Sequence, residues 1–231
     1  MKGVKFGNYH TYDEWGLILQ SKSIEAPKIK TKQVEIEGSD GVIDLTEELG
    51  AVNYSNRSLS FQFAKKEITQ EEYLTLYSVI HNAIHGQKLH IALDDDPNYF
   101  YIGRVSINDW KSDRNLGTIV IEADAEPYKY DVLSSMDEYE WNPINFETDV
   151  LNETKNLVVS GSLDVVITGR KKNICPVIIS SAAMQVEISG KRYSIIAGKN
   201  KLYQFVVKEG DNHIKFIGSG TVSIDYRGCS L

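Results

Sequence analysis

Cysteine is scarce in this chain of 231 residues: Cys175 and Cys229 are all it has. Two are too few for a disulfide framework or a cysteine-rich zinc site, and both read as small buried or half-buried side chains. Long apolar runs are missing too. No window approaches the roughly 18 to 20 apolar residues of a membrane span, and Met1 to His10 lacks the apolar stretch of a secretory signal, so neither membrane insertion nor signal-directed export is expected. Positive charge is in deficit, with 25 Lys and Arg against 32 Asp and Glu and a net charge of −7, which disfavours a whole-chain attraction for nucleic acid. Internal repeats and low-complexity tracts are also lacking.

The signatures of catalysis are equally thin. The chain has no Gly-x-Ser-x-Gly elbow, and Cys175 has no evident histidine partner. Gly218-Ser219-Gly220 precedes a strand-like run, whereas a phosphate cradle needs a strand before it and a helix after it. His81 and His85 lie one helical turn apart with His90 nearby, but Asn82 stands where a zincin needs Glu and no third ligand suggests itself. They read as polar-face histidines. Asp94-Asp95-Asp96 could attract a hard cation, yet Pro97-Asn98 makes a turn and the alternating ligand spacing of a calcium loop is missing, so the run reads as a solvated hairpin tip. The expectation is a non-enzyme with no catalytic, cofactor-binding or metal-binding residues.

What is present is ample core material, 42% hydrophobic residues, in a mainly β pattern. One helix stands out. Thr69-Gln70-Glu71-Glu72 has capping-box spacing, Tyr73, Leu76, Tyr77, Ile80 and Ile84 repeat on one face, and Gly86 can take the left-handed conformation that ends a helix. Alternation in Leu59, Phe61 and Phe63, in Leu89, Ile91 and Leu93, and in Ile119, Ile121 and Ala123 has the period of a strand. Lys88 to Ile107 reads as a hairpin turning at Asp94 to Asn98, and Gly38-Ser39-Asp40-Gly41 marks a second turn between Gln33 to Glu37 and Val42 to Leu45.

After Tyr130 the texture changes. Residues 131 to 153 hold seven acidic side chains and no Lys or Arg, the signature of a linker or seam. From Thr154 onward short strand-like runs follow: Leu157 to Val159, Leu163 to Ile167, Val177 to Ile179, Val186 to Ile188, Tyr193 to Ile196, Leu202 to Val207, Ile214 to Ile217 and Val222 to Tyr226. Turns at Gly190, Gly198, Gly210 and Gly218 make this an expected antiparallel β-sandwich without helix. The expected organisation is therefore a β-rich domain with one helix over 1–130, an acidic seam over 131–153 and a β-sandwich over 154–231. Charge divides with it, −6 over residues 1 to 130 and +6 from Thr154 onward.

Phe6 to Asn8, Trp15-Gly16-Leu17, Val34 to Thr46, Tyr54-Ser55-Asn56-Arg57, His85-Gly86, Asp94 to Val105 and Glu126-Pro127-Tyr128-Lys129-Tyr130 occur in the order of landmarks in a known family. Through them the first 130 residues resemble the amino-terminal domain of the phage distal tail protein family of long non-contractile tails. The last hundred carry a general likeness to that family's galectin-like sandwich. The resemblance implies a structural virion protein, assembled in the bacterial host cytoplasm, that forms a homo-hexameric ring at the distal tail end. Its lumen would pass the tape-measure protein and then DNA without specific binding. Its partners would be the tail-tube protein, the tape-measure protein, the tail-tip or tail-fibre protein and, in some tails, a receptor-binding protein. Carboxylates facing such a lumen would repel DNA phosphates.

A second reading makes the basic sandwich a carbohydrate- or cell-wall-polymer-binding module aiding host adhesion, with Arg170-Lys171-Lys172 and Lys191-Arg192 as its clusters. Tyr128, Tyr130, Tyr139 and Trp141, around the seam, read as interface aromatics.

Overall fold

The computed structural model describes residues 2–48, 50–113, 116–137 and 154–231. It divides into two compact units, Met1–Lys129 with Leu231 and Tyr130–Ser230.

The first unit contains β1 (Val4–Phe6), β2 (Tyr9–His10), β3 (Ile18–Ile24), β4 (Gln33–Glu35), β5 (Val42–Asp44), β6 (Arg57–Lys66), α1 (Gln70–Ile84), β7 (Lys88–Leu93), β8 (Tyr99–Asp113) and β9 (Leu116–Ala125). Its main sheet is antiparallel in the order β2-β1-β7-β8-β9-β6-β3. The alternation seen in the sequence sorts the faces: Leu59, Phe61 and Phe63 of β6 and Ile119, Ile121 and Ala123 of β9 are buried together. The other face carries Ser58, Ser60 and Gln62 beside Thr118, Glu122 and Asp124, exposed or half-buried.

Helix α1 starts where its cap dictates. The Thr69 hydroxyl accepts from the Glu72 amide at 3.3 Å, and the Glu72 carboxylate accepts from the Thr69 amide at 3.0 Å. Tyr73, Ile80 and Ile84 are fully buried in the sheet's cluster, each contributing about 1.5–3 kcal/mol by area. Tyr73 also donates its hydroxyl proton to the Thr118 carbonyl at 2.5 Å, and its ring lies where a side chain at Gly117 would be. Gly86 follows the helix at φ 76°, as its place in the sequence predicts.

The hairpin β7–β8 turns over Asp94 to Asn98, with Lys88 opposite Arg104 and Ala92 opposite Phe100. Strands β4 and β5 form a separate two-stranded hairpin across the Gly38 to Gly41 turn, with Gln33 opposite Asp44. All six of its strand residues are exposed, and an isolated Ile29–Tyr54 bridge lies on its approach.

The second unit takes in β10 (Lys129–Asp131) from Tyr130 onward, followed by β11 (Leu157–Gly169), β12 (Val177–Ser180), β13 (Met184–Ile188), β14 (Lys191–Ile195), β15 (Gly198–Lys201), β16 (Gly210–Asp225) and β17 (Cys229–Ser230). Its principal sheet is antiparallel in the order β14-β13-β16-β12-β15, with β11 also paired to β16. Ile167, Ile178, Val186, Phe205, Phe216 and Ile224 are among the residues of a second, separate core.

Three strand boundaries differ from the sequence expectation. The runs at Ile214 and Val222 join as one strand, β16, through Gly218 (φ 148°) and Gly220 (φ 145°), whose missing side chains leave room for Met184 and Ser181. The runs at Leu157 and Leu163 likewise join as β11. Leu202 to Val207 forms no strand beyond a bridge at Val207. The ladder is made instead by the polar Gly198–Lys201, while Phe205 and Val207 supply core from irregular backbone.

Candidate assembly surfaces

The acidic tip of the β7–β8 hairpin is exposed, as expected of a turn, and is also a clasp. Asp94 accepts from the Gly3 amide at 2.6 Å and faces the His10 imidazole at 3.1 Å, Asp95 pairs with Lys22 of β3, and Asp96 accepts from Lys129 at 2.8 Å. The hydrogen bond from Lys22 holds the Asp95 carboxyl below the usual range. Each carboxylate thus has a protein partner, which explains the acidic run without a cation.

His81 and His85 stack with ring centroids 4.0 Å apart, and His85 Nδ1 accepts from the Ile107 amide at 3.1 Å. That bond falls at a β-bulge between Ile107 and Asp109, where the β7 ladder has already ended. His90 stacks on Phe100. No group of three or more His, Cys, Asp or Glu suited to a metal ion occurs among the described residues. Cys175 donates to the Leu202 carbonyl at 3.3 Å, and burial pushes the Cys229 thiol's pKa up. Gly218-Ser219-Gly220 lies inside β16, with no helix after it.

Most of the basic clusters of the second unit are engaged within the fold, with Lys191 left exposed. Arg170 binds Asp131 at 3.1 Å, Lys171 binds Glu209 at 2.8 Å, Lys172 donates to the Tyr130 hydroxyl at 2.5 Å and lies over its ring, and Arg192 binds Glu187 at 2.9 Å. Tyr130 is consequently buried, which corrects its reading as an interface aromatic. Tyr128 meets Tyr54 edge to face. Tyr139 and Trp141 fall outside the described residues.

The features that sequence reasoning missed are two surfaces. The first is a sheet edge. Strand β3 pairs only with β6 among the described residues, Gln20 to Ser23 are exposed, and its one lysine is held by Asp95. Such an edge can accept another strand, because its one charge is already paired. At the other end of the sheet the edge is the two-residue β2, and the inner strand β8 runs on to Asp113 after the β7 ladder stops at Arg104. The second surface is the β4–β5 hairpin, where Val34, Ile36, Val42 and Ile43 are each more than two-fifths exposed. Four aliphatic side chains in the open on one short element mark a contact surface. Its sequence signal was present as β-branched residues flanking a glycine turn, but exposure has no signature in a sequence. No helix among the described residues is long and apolar enough to cross a membrane.

No protein-family model matches the chain, and no curated protein matches it in sequence. Solved structures do. The crystal structure of the Dit protein of phage SPP1, described as a paradigm of the hub adsorption apparatus in phages infecting Gram-positive bacteria, aligns over 100% of both chains with a TM-score of 0.61 and 11% identity. A chain of the phage p2 baseplate, in its activated conformation with Sr, aligns over 98% of both with a TM-score of 0.46 and 9% identity. Both units, in their order along the chain, therefore follow the fold of the SPP1 Dit protein.

Proposed function

We propose that the chain belongs to the phage distal tail protein family and forms a hexameric ring at the end of a long non-contractile tail, joining the tail tube to tail-tip and adsorption proteins. The observation that carries this reading is the exposed β3 edge on a sheet whose other edge is the short β2, beyond which the inner strand β8 overruns the β7 ladder. Two unlike edges on one sheet favour a head-to-tail contact, and head-to-tail contacts close into rings when the rotation permits. The full-length likeness to the SPP1 Dit fold supports it. The β4–β5 hairpin, with its exposed aliphatic residues, is a natural contact for the adjacent subunit.

The sheet face away from α1 suits a lumen wall. Across β6 and β9 it carries hydroxyl and amide groups with two carboxylates held by amides, Glu122 accepting from Asn108 and Asp124 accepting from Asn56 at 3.0 Å, and by register Lys66, Lys88, Arg104 and Lys111 share that face. Arg104 turns its guanidinium onto the Gly86 carbonyl. A structural role, with assembly in the host cytoplasm and residence in the virion tail, follows from this reading. So do the tail-tube, tape-measure and tail-tip proteins as partners and an organisation into ring domain, seam and sandwich.

Mass photometry of the full chain over a concentration series tests it. The expected result is a species six times the 26.0 kDa chain mass, seen as a ring in negative stain. A chain that stays monomeric at the highest concentrations, alone and with the tube protein added, overturns the reading.

A further inference from the structure

Strand β15 is an edge of the second unit's sheet, paired only with β12 among the described residues. Lys199 and Lys201 sit two apart along it, hence on one side, and neither makes an ion pair among the described residues. The strand is bracketed by two outward apolar side chains, Ile196 at 68% and Tyr203 at 75% exposure, the highest values among the described large hydrophobics apart from Val158. The bracket is built rather than loose. Asn200 Oδ1 accepts from the Ile196 amide at 3.0 Å, while its Nδ2 donates to the Ile196 and Gly198 carbonyls at 2.8 and 3.0 Å, which fixes the turn presenting Ile196. The Lys201 ammonium lies 5.5 Å from the Tyr203 ring centroid, holding the other end.

We propose that β15 is a docking edge for an extended acidic segment of a partner protein, which adds to the sheet as a further strand. Main-chain pairing supplies the template, carboxylates spaced two apart meet Lys199 and Lys201, and apolar residues at the ends of the segment rest on Ile196 and Tyr203. The same lysines repel a second copy of β15, so the edge is closed to itself and open to the opposite charge. Protein is favoured over an anionic wall polymer because a polyphosphate chain has no use for an exposed isoleucine and no main-chain donors to pair with the edge. This proposal is independent of ring formation by the first unit.

The test titrates the full chain with an eight-residue peptide of alternating Glu and Val carrying Leu at both ends, and in parallel with its Glu-to-Lys counterpart and with polyglycerol phosphate. The acidic peptide is expected to bind and to shift amide resonances of residues 196 to 203, and the basic peptide to be rejected. K199E/K201E should weaken the acidic peptide by about tenfold or more and admit the basic one, and Ile196→Ser with Tyr203→Ser should weaken it by about fivefold. These are surface changes, so unchanged thermal unfolding of both variants separates a docking effect from misfolding. Absence of acidic-peptide binding at low salt overturns the proposal. So does equal binding by polyglycerol phosphate that survives the Ile196 and Tyr203 changes, because that outcome assigns the lysines to plain polyanion attraction.

Discussion

The two units present their sheet edges in opposite ways. In the first, β3 leaves Ser21 and Ser23 bare and neutralises Lys22 through Asp95. In the second, β14 and β15 begin or continue with Lys191, Lys199 and Lys201, none of them ion-paired among the described residues. Charge on an edge strand is the common way to stop one sheet from extending into another. On the proposed reading, the contrast marks the first unit as the half that associates with copies of itself and the second as the half kept from doing so, though both are antiparallel β structures of the same chain.

The sharpest way to break this contrast is to move the guard. Ser21→Lys with Ser23→Lys should convert rings to monomers in mass photometry while leaving thermal unfolding within about 0.5 kcal/mol, because both positions are exposed. Retained rings would remove β3 from the contact. Next in size are two of the close-packed glycines. A methyl group at Gly117 runs into the Tyr73 ring, and one at Gly169 runs into the Lys208 carbonyl. Each alanine variant should cost about 1–3 kcal/mol, with Gly117→Ala lowering the unfolding transition of the first unit and Gly169→Ala that of the second in calorimetry. A single transition moved equally by both would show that the units unfold together.

Smaller effects test the helix. Thr69→Ala should cost the first unit about 1 kcal/mol. Bonds from the Thr69 amide and hydroxyl lower the Glu72 carboxyl below its ordinary 4.5. A carboxyl lowered by folding contributes its stability in full above that ordinary value and loses it as pH falls through the lower, folded-state value. Acid titration of helicity should thus show a step below about pH 4.5 that Thr69→Ala flattens. Smallest is a difference in labelling: a thiol-alkylating reagent should modify the half-buried Cys175 before Cys229, which is buried with its pKa raised.

Much of the fold was legible because local chemistry and tertiary packing agree. Thr69 and Glu72 announce a cap, the alternation around Phe61 and Ile121 announces a two-faced sheet, and Gly38 and Gly41 announce a turn. Legibility failed where a ladder is made by residues with no apolar alternation, as in Gly198–Lys201, and where core comes from irregular backbone, as at Phe205. It failed again where glycine reads as a turn but serves a long strand, at Gly218. The site was less legible than the fold. Arg170, Lys171 and Lys172 look like an anion site in one dimension, and only three dimensions reveal Asp131, Glu209 and Tyr130 beside them. An open edge is a missing neighbour, which no residue encodes alone.

The β4–β5 hairpin has a thermodynamic corollary. Val34, Ile36, Val42 and Ile43 remain in water in the lone chain, so the free energy their burial can release is deferred until another molecule covers them. Heat resistance should then climb with protein concentration, as mass action requires of any species stabilised by association, and the chain becomes sturdiest only once it has company.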